Sequence, residues 1–266
     1  MTLKLVSSRD NPQLKLLRQL ADSAQARKKN RQTLLDGIHL CQSWLQQRGA
    51  PALCVVGESA LSQPEVAAIV ADCEARHAPC MLLPDALFAP LSQVENGVAL
   101  LFLIDMPQAP ATASLTQNAV LLDQLQDPGN LGSILRSAAA AGISQVFCSS
   151  GTVLAWSPKV LRAGMGAHFV LDIVENVDLH ALIAESALPV LATSSHAQTS
   201  IYGADLSQPL GWLFGHEGQG VSQDLLALAR SRVAIPHLGQ MESLNVAACA
   251  AVCLFEQMRQ RISANT

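Results

Sequence analysis

Charged side chains are scarce in this chain. Asp, Glu, Lys and Arg make up 14% of its 266 residues, against about 25% in an average soluble protein. Aromatic residues stand at 4%, with Tyr202 the single tyrosine and Trp44, Trp156 and Trp212 the tryptophans. A nucleic-acid partner would therefore be held through phosphate and shape contacts more than through base stacking. Long apolar runs are missing as well. Val98–Ile104 falls far short of the roughly 20 residues that a membrane span needs. No apolar run of about 7–15 residues precedes a small-residue cleavage site near the N-terminus, so no signal peptide is expected and the expected location is the cytoplasm. Also absent is any Cys-x-x-Cys pair. The seven cysteines (Cys41, Cys54, Cys73, Cys80, Cys148, Cys249, Cys253) are expected as reduced, mostly buried thiols. Cys249 and Cys253 are four residues apart but have no His or carboxylate at ligand spacing, so they read as core packing and no metal is expected. What is plentiful is apolar material, half of the chain, enough for a large core and for close to two domains.

The net charge of −4 hides an asymmetry. Residues 1–50 hold nine basic side chains (Lys4, Arg9, Lys15, Arg18, Arg27, Lys28, Lys29, Arg31, Arg48) and three acidic ones, a balance of +6 that leaves −10 on the rest. One end that is basic while the remainder is acidic is the pattern of a segment that meets a polyanion. A solvated helix face is the competing reading of the run Arg27-Lys28-Lys29-Asn30-Arg31.

Strands alternate with helices throughout. In the N-terminal part, leucines at helical spacing predict a helix over Asn11–Ala26, then a strand Gln32–Asp36, a helix His39–Gln47, a strand Ala52–Val56, a helix Gln63–Arg76, a strand Cys80–Leu83, a helix Pro84–Ser92 and a strand Gly97–Ile104. The Pro-, Ala-, Ser- and Thr-rich stretch Asp105–Asn118 lacks periodicity and reads as the linker. The expected division is residues 1–106, a linker 107–117, and a second domain 118–266. Beyond the linker, expected strands at Ala119–Asp123, Gln145–Ser149, Val170–Val174, Pro189–Thr193, Gly211–Phe214 and Arg232–Ile235 alternate with helices at Asn130–Ala141, Pro158–Met165, Leu179–Ala187, Gln223–Arg230 and Ser243–Ile262. Near-continuous apolar strands such as Ala119–Asp123 indicate a sheet covered on both faces.

Three loops at strand ends have unusual composition, and such loops are where open α/β sheets bind ligands. The first runs from Asp127-Pro128-Gly129-Asn130 to Arg136, with Asn130 a plausible N-cap and Arg136 a long cation among small residues. The second, Gly215-His216-Glu217-Gly218-Gln219-Gly220, sets three glycines around one carboxylate. It is neither a G-x-G-x-x-G fingerprint nor a phosphate loop with Lys-Ser/Thr, and an ordinary glycine turn is its alternative. The third runs from Ile235-Pro236 through a Gly-containing turn to Ser243-Leu244-Asn245, where Ser243 is a natural N-cap of a helix rich in Ala and Cys. Asn245 can there hold a ligand or brace a neighbouring loop.

Together and in this order, the three loops resemble the signature motifs of the SpoU-type ribose 2′-O-methyltransferases of the SPOUT superfamily. Ser157–Ala167 resembles the family's segment between the first two motifs. The resemblance covers about residues 116–262. The N-terminal part, with Leu34-Leu35-Asp36-Gly37-Ile38-His39-Leu40 after the basic run, is similar to the L30e-like substrate-binding domain that often precedes such catalytic domains. Gly164 stands where the family often has Ser, and His216 where it often has Asn.

The resemblance implies an α/β protein with a parallel-sheet C-terminal domain tied in a deep trefoil knot, a smaller L30e-like α/β domain before it, and a homodimer formed through the C-terminal domain. It implies S-adenosyl-L-methionine as cofactor, held by Thr193, Gly215, His216, Glu217, Gly218, Ile235, His237 and Leu244. It implies a structured RNA substrate, ribosomal RNA first, met by Arg27, Lys28, Lys29, Arg31 and Arg162. The catalytic residues it implies are Asn130, Arg136, Glu217, Ser243 and Asn245. Arg136 would stabilise the developing alkoxide and anchor phosphate, because a guanidinium is a poor base. A tRNA 2′-O-methyltransferase and a catalytically silent RNA-binding relative are the alternatives, and no membrane partner is implied.

Overall fold

The computed structural model describes residues 3–94, 97–108, 113–240 and 243–264. Four residues of the expected linker, 109–112, lie outside the described residues. The chain divides into two compact units, Met1–Gln108 with Trp156–Phe169, and Ala109–Ala155 with Val170–Thr266. No helix among the described residues is long and apolar enough to cross a membrane, and none of their His, Cys, Asp and Glu side chains form a group of three or more able to hold a metal ion.

The first unit is built from β1 (Lys4–Leu5), α1 (Pro12–Asp22), α2 (Ala24–Asn30), β2 (Gln32–Asp36), α3 (Ile38–Gln47), β3 (Leu53–Gly57), α4 (Pro64–Ala75), β4 (Cys80–Leu83), α5 (Asp85–Phe88) and β5 (Leu100–Asp105). Its sheet has the order β1-β4-β3-β5-β2, with β5 antiparallel to both β3 and β2. Leu14, Leu17 and Leu20 of α1 are fully buried with Val55, Met81 and Leu101, each leucine worth about 1.5–3 kcal/mol of burial.

The single helix expected over Asn11–Ala26 is two helices. Ser23 ends α1 and opens α2, its Oγ accepting the Ala26 N–H at 3.1 Å. That break turns Arg27 inward. Its guanidinium donates to the carbonyls of Leu20 and Ala21 at the end of α1, and the residue is only 6% exposed. Burial lowers its pKa, and nearby Asp22 opposes that shift. Arg27 therefore binds the chain's own carbonyls and is corrected from an RNA contact to a structural cap. Lys28, Lys29 and Arg31 are exposed, Arg31 donating to the Pro107 carbonyl at 2.8 Å.

The second unit begins with β6 (Ala119–Leu122), α6 (Pro128–Ala140) and β7 (Gln145–Ser149). The chain then enters the first unit for Trp156–Phe169, which contains α7 (Pro158–Gly164), a segment expected with residues 118–266. Contacts explain its place: Thr33 Oγ1 donates to the Trp156 carbonyl at 2.9 Å, and Trp44 meets Phe169 edge to face at 5.3 Å. Arg162 on α7 is half-buried beside Asp36, whose carboxyl burial pushes up in pKa against the pull of Ser92, Gln93 and Arg162. The second unit resumes with β8 (Asp172–Val177), α8 (Leu179–Ala184), β9 (Val190–Thr193), β10 (Thr199–Ser200), β11 (Gly211–Phe214), α9 (Gln223–Leu228), β12 (Ser231–Ala234) and α10 (Val246–Ala264). Its seven strands pair in parallel in the order β10-β12-β9-β11-β6-β7-β8. The core on one face gathers Leu121, Phe147, Ala192 and Leu213 under α8 and α9.

Arg27→Ala should cost about 1.5–3 kcal/mol, the range for hydrogen bonds to a charged group. Lys28→Ala and Lys29→Ala should change stability by less than about 0.5 kcal/mol. Urea unfolding of the three variants checks the contrast.

Candidate functional site

Strands β9, β11 and β12 are parallel neighbours and bring their C-terminal ends to one edge of the seven-stranded sheet. The loops leaving that edge enclose a cavity of about 410 Å³, within the roughly 300–1,000 Å³ of small-molecule sites. Thr193, Gly215, His216, Glu217, Gly218, Ile235, His237 and Leu244, the eight residues expected to hold a cofactor, all line it, as does Ser243. Ser194, Ser195 and His196 also line it. Sequence reasoning passed over these three, although they directly follow an expected strand.

The loop after β11 closes on itself. The His216 N–H donates to the Gly220 carbonyl at 3.0 Å, and the Gly220 N–H returns to the His216 carbonyl at 2.8 Å. His216 Nδ1 accepts from the N–H groups of Gly218 and Gln219 at 3.0 and 3.3 Å. A Cβ at Gly215 would stand 2.1 Å from the Gly220 carbonyl carbon and the Val221 nitrogen, so no other residue fits there. Gly220 has φ +71°, the left-handed conformation that favours glycine.

This turn holds Glu217 against the start of α6. Glu217 Oε1 accepts from the Asp127 N–H at 2.9 Å and from Asn130 Nδ2 at 3.2 Å, and Oε2 accepts from the Gln126 N–H at 3.2 Å. Burial acts to raise the Glu217 pKa. The hydrogen bonds from Asp127, its own backbone, Asn130 and Gln126 outweigh it and hold the carboxyl below its ordinary value.

The two helix starts differ from expectation in the same way. Asp127, not Asn130, caps α6: its side chain accepts the Asn130 N–H at 2.7 Å, with Pro128 in the first helical position. The Asp-Pro pair is the signal that would have found it. Asn245, not Ser243, caps α10, its Oδ1 accepting from the N–H groups of Ala247 and Ala248 at 2.9 and 3.3 Å. Freed from capping, the Asn130 side chain accepts from Asn245 Nδ2 at 2.8 Å while donating to Glu217. Both amides are thus oriented unambiguously by their partners. Of the five expected catalytic residues, Glu217, Asn130 and Asn245 form one hydrogen-bonded chain, and Ser243 and Glu217 line the cavity. Arg136 stands apart on the exposed side of α6. Among the described residues nothing accepts a hydrogen bond from it.

Residues 117–255, just over half of the chain, match the SpoU rRNA Methylase family. The chain is 34% identical over 269 residues to an uncharacterized tRNA/rRNA methyltransferase of Synechocystis, covering 98% of this chain and 96% of the relative. It is 28% identical to the 23S rRNA (guanosine(2553)-2′-O)-methyltransferase of Bacillus subtilis, covering 95% and 98%. The crystal structure of an AdoMet-bound rRNA methyltransferase from Sinorhizobium meliloti superposes with a TM-score of 0.84 at 26% identity, covering 97% of this chain and 98% of that one.

Gly215→Ala should break the His216–Gly220 pair and speed hydrogen exchange at the Gly220 amide by about tenfold or more, the equivalent of one lost hydrogen bond. Acid should release the Glu217 bridge. Because the carboxyl is held below its ordinary value of 4.5, its contribution is complete above that pH and is lost as pH falls through the lowered value. Exchange at the Asp127 amide, corrected for its intrinsic pH dependence, should rise only in that acid window, and Glu217→Gln should abolish the step.

Proposed function

As the chain belongs to the SpoU rRNA methylase family, we propose that it transfers the methyl group of S-adenosyl-L-methionine to a ribose 2′-hydroxyl of ribosomal RNA. The observation that carries this reading is the single cavity that unites all eight expected cofactor residues beside the Glu217–Asn130–Asn245 chain. Support for the substrate comes from the Bacillus subtilis relative, which is named for a guanosine of 23S rRNA, and for the cofactor from the AdoMet-bound Sinorhizobium meliloti structure.

The cavity fits such a cofactor in size and in lining. At Gly218, where a Cβ would meet only the His216 ring at 3.7 Å, the loop offers open backbone beside the cavity, which suits recognition of adenine and ribose by N–H and C=O groups. Ile235 and Leu244 supply apolar walls, and Thr193, His216 and His237 supply polar ones. When bound, S-adenosylmethionine supplies an electrophilic sulfonium methyl.

The chain's own residues then have three tasks. Asn130, its side chain fixed by two partners, and Asn245, its side chain fixed by three, hold the nucleotide and the start of α6 in place, so that alignment is built before the substrate arrives. Arg136, exposed and without a hydrogen-bond partner among the described residues, meets the RNA and stabilises negative charge on the 2′-oxygen as its proton leaves. A guanidinium is a poor base, so the proton departs to the substrate or to water. Lys28, Lys29 and Arg31 contact RNA phosphates. The proposal includes a homodimer through the C-terminal unit, supported by Phe255 and Ile262, which lie exposed on α10. It also includes the family's trefoil path and action in the cytoplasm.

Arg136→Ala should lower methyl transfer to ribosomal RNA by about 10²–10³-fold, as for loss of one transition-state donor, while calorimetric affinity for S-adenosylhomocysteine stays within about twofold. Unchanged turnover would remove Arg136 from catalysis. Replacing Lys28, Lys29 and Arg31 together should flatten the salt dependence of RNA binding by roughly 0.7–0.9 log units per contact.

A further inference from the structure

Three of the chain's seven histidines stand in the wall of the one cavity. His196 follows β9, His216 follows β11 and His237 follows β12, so each of the three loops contributes one imidazole. Among the described residues that line the cavity, the other titratable groups are Glu217 and Cys249, and no Asp, Lys or Arg is present. Glu217 is committed to Gln126, Asp127 and Asn130. On the loop alongside, Asp123 and Asp127 accept the N–H groups of Ser222 and Asn130. Of the elements behind the wall, α9 carries Asp224, β12 carries Arg232 and α10 carries the paired Glu256 and Arg259, and none of these lines the cavity. The wall thus holds three imidazoles and no uncommitted carboxylate.

The rings differ in what holds them. His216 is half-buried, and its Nδ1 accepts from the N–H groups of Gly218 and Gln219 at 3.0 and 3.3 Å. The ring is therefore neutral, its proton on Nε2, and forms part of the glycine loop. His196 and His237 are exposed, and among the described residues neither ring makes a hydrogen bond. The proposed mechanism moves no proton through any of the three.

We propose that His196 and His237 determine how the cavity discriminates between the methyl donor and its demethylated product, and that acid turns the choice toward the product. Imidazole is the side chain that gains a positive charge between about pH 8 and pH 5. S-adenosylmethionine carries a cationic sulfonium where S-adenosylhomocysteine has a neutral thioether, and the two are otherwise alike. Neutral rings cannot tell them apart by charge. Protonated rings repel the sulfonium and leave the thioether untouched, with no free carboxylate in the wall to offset them. In a cavity of about 410 Å³, wall and ligand lie within a Debye length of roughly 8–10 Å, so salt screens the repulsion weakly. A proton on His216 acts on both ligands alike, because it takes the shared acceptor away from two N–H groups of the loop. Product formed in acid therefore stays bound while the next donor is kept out. The inference rests on the reading that this cavity takes S-adenosylmethionine.

The test is calorimetric titration of the full chain with S-adenosylmethionine and, separately, with S-adenosylhomocysteine, at about pH 7 and about pH 5.5, on either side of the ordinary imidazole titration. Both lie above the range in which Glu217, held below 4.5, takes up its proton, so its bridge to α6 is intact throughout. The ratio of donor Kd to product Kd should rise about fivefold or more from the higher pH to the lower, the size of a Coulomb repulsion across such a cavity. In the double variant His196→Gln, His237→Gln the rise should shrink to less than about twofold, and each single variant should show an intermediate rise. His216→Asn, which keeps a side-chain acceptor for the loop, should retain the full rise. A ratio that stays flat or falls in the wild type, a rise undiminished in the double variant, or a rise lost in His216→Asn overturns the inference and leaves the placing of the cofactor intact. Failure of both ligands to bind the wild type at about pH 7 overturns that placing, and the inference with it.

Discussion

Glu217 is the carboxylate on which the site's geometry depends. Strand β11 pairs with β6 in register, Phe214 opposite Leu122, so the loops that leave them emerge side by side. The loop after β6 runs into α6, and the first N–H groups of a helix have no partner within it. Asp127 takes one of these donors, and Glu217 takes the two N–H groups just before the helix. A negative charge at that position is favoured by the helix dipole as well as by charge-assisted hydrogen bonds. A second tie lies beside it, where the buried Asp123 accepts the Ser222 N–H at 2.9 Å. The glycine loop is thereby pinned at both ends to the strand and helix next to it.

The third loop joins this pair through helix packing. α6 and α10 lie against each other, and small residues are interspersed among their larger buried ones: Gly132 and Ala138 among Leu131, Ile134 and Leu135 on one, Ala247, Ala250 and Cys253 before Leu254 and Gln257 on the other. Short side chains let two helices approach closely. That approach brings Asn245 within 2.8 Å of Asn130. The alanine-rich composition of α10 and the polar bridge at its start are therefore one feature. Larger residues along the seam would separate the two asparagines, although neither would have been touched. The same economy of side chains shapes the cavity, where Gly215 leaves room only for the backbone of Gly220 and Val221.

Apart from the two-residue strands β1 and β10 and the break between α1 and α2, the order of strands and helices in both units was legible from apolar periodicity. Loop composition at strand ends marked the three loops, and the resemblance to the SpoU-type family supplied the cofactor residues among them. What escaped were decisions made by contacts between distant positions. Asn130 and Ser243 looked like caps because local sequence reads an Asn or Ser before a helix in that way. Whether an asparagine caps its own helix or bridges to another depends on a partner 115 residues away, and no window along the chain contains both. Arg27 looked like its neighbours Lys28 and Lys29 because composition counts charges without their directions. The break at Ser23, in a run whose leucine spacing suits a continuous helix, turned one cation of four inward. The excursion of Trp156–Phe169 into the first unit left no local trace either, since it depends on Thr33 and Trp44 more than a hundred residues earlier.

The contrast between Arg27 and Arg136 bears on mechanism. A guanidinium stays charged, so it must be paired within the fold or face outward. Arg27 is buried and donates through one guanidinium nitrogen to the carbonyls of Leu20 and Ala21, so it is turned away from any outside ligand. Arg136 is fixed by none of the described residues, so its side chain keeps its rotamer freedom until something outside the fold orders it. On the proposed reading, a neutral 2′-hydroxyl is a weak acceptor and repays that ordering poorly. A 2′-oxygen that is losing its proton is a strong one, in a site whose other groups are already held in place. The attraction therefore grows along the reaction coordinate, and an interaction that strengthens only toward the transition state raises turnover without tightening the ground state.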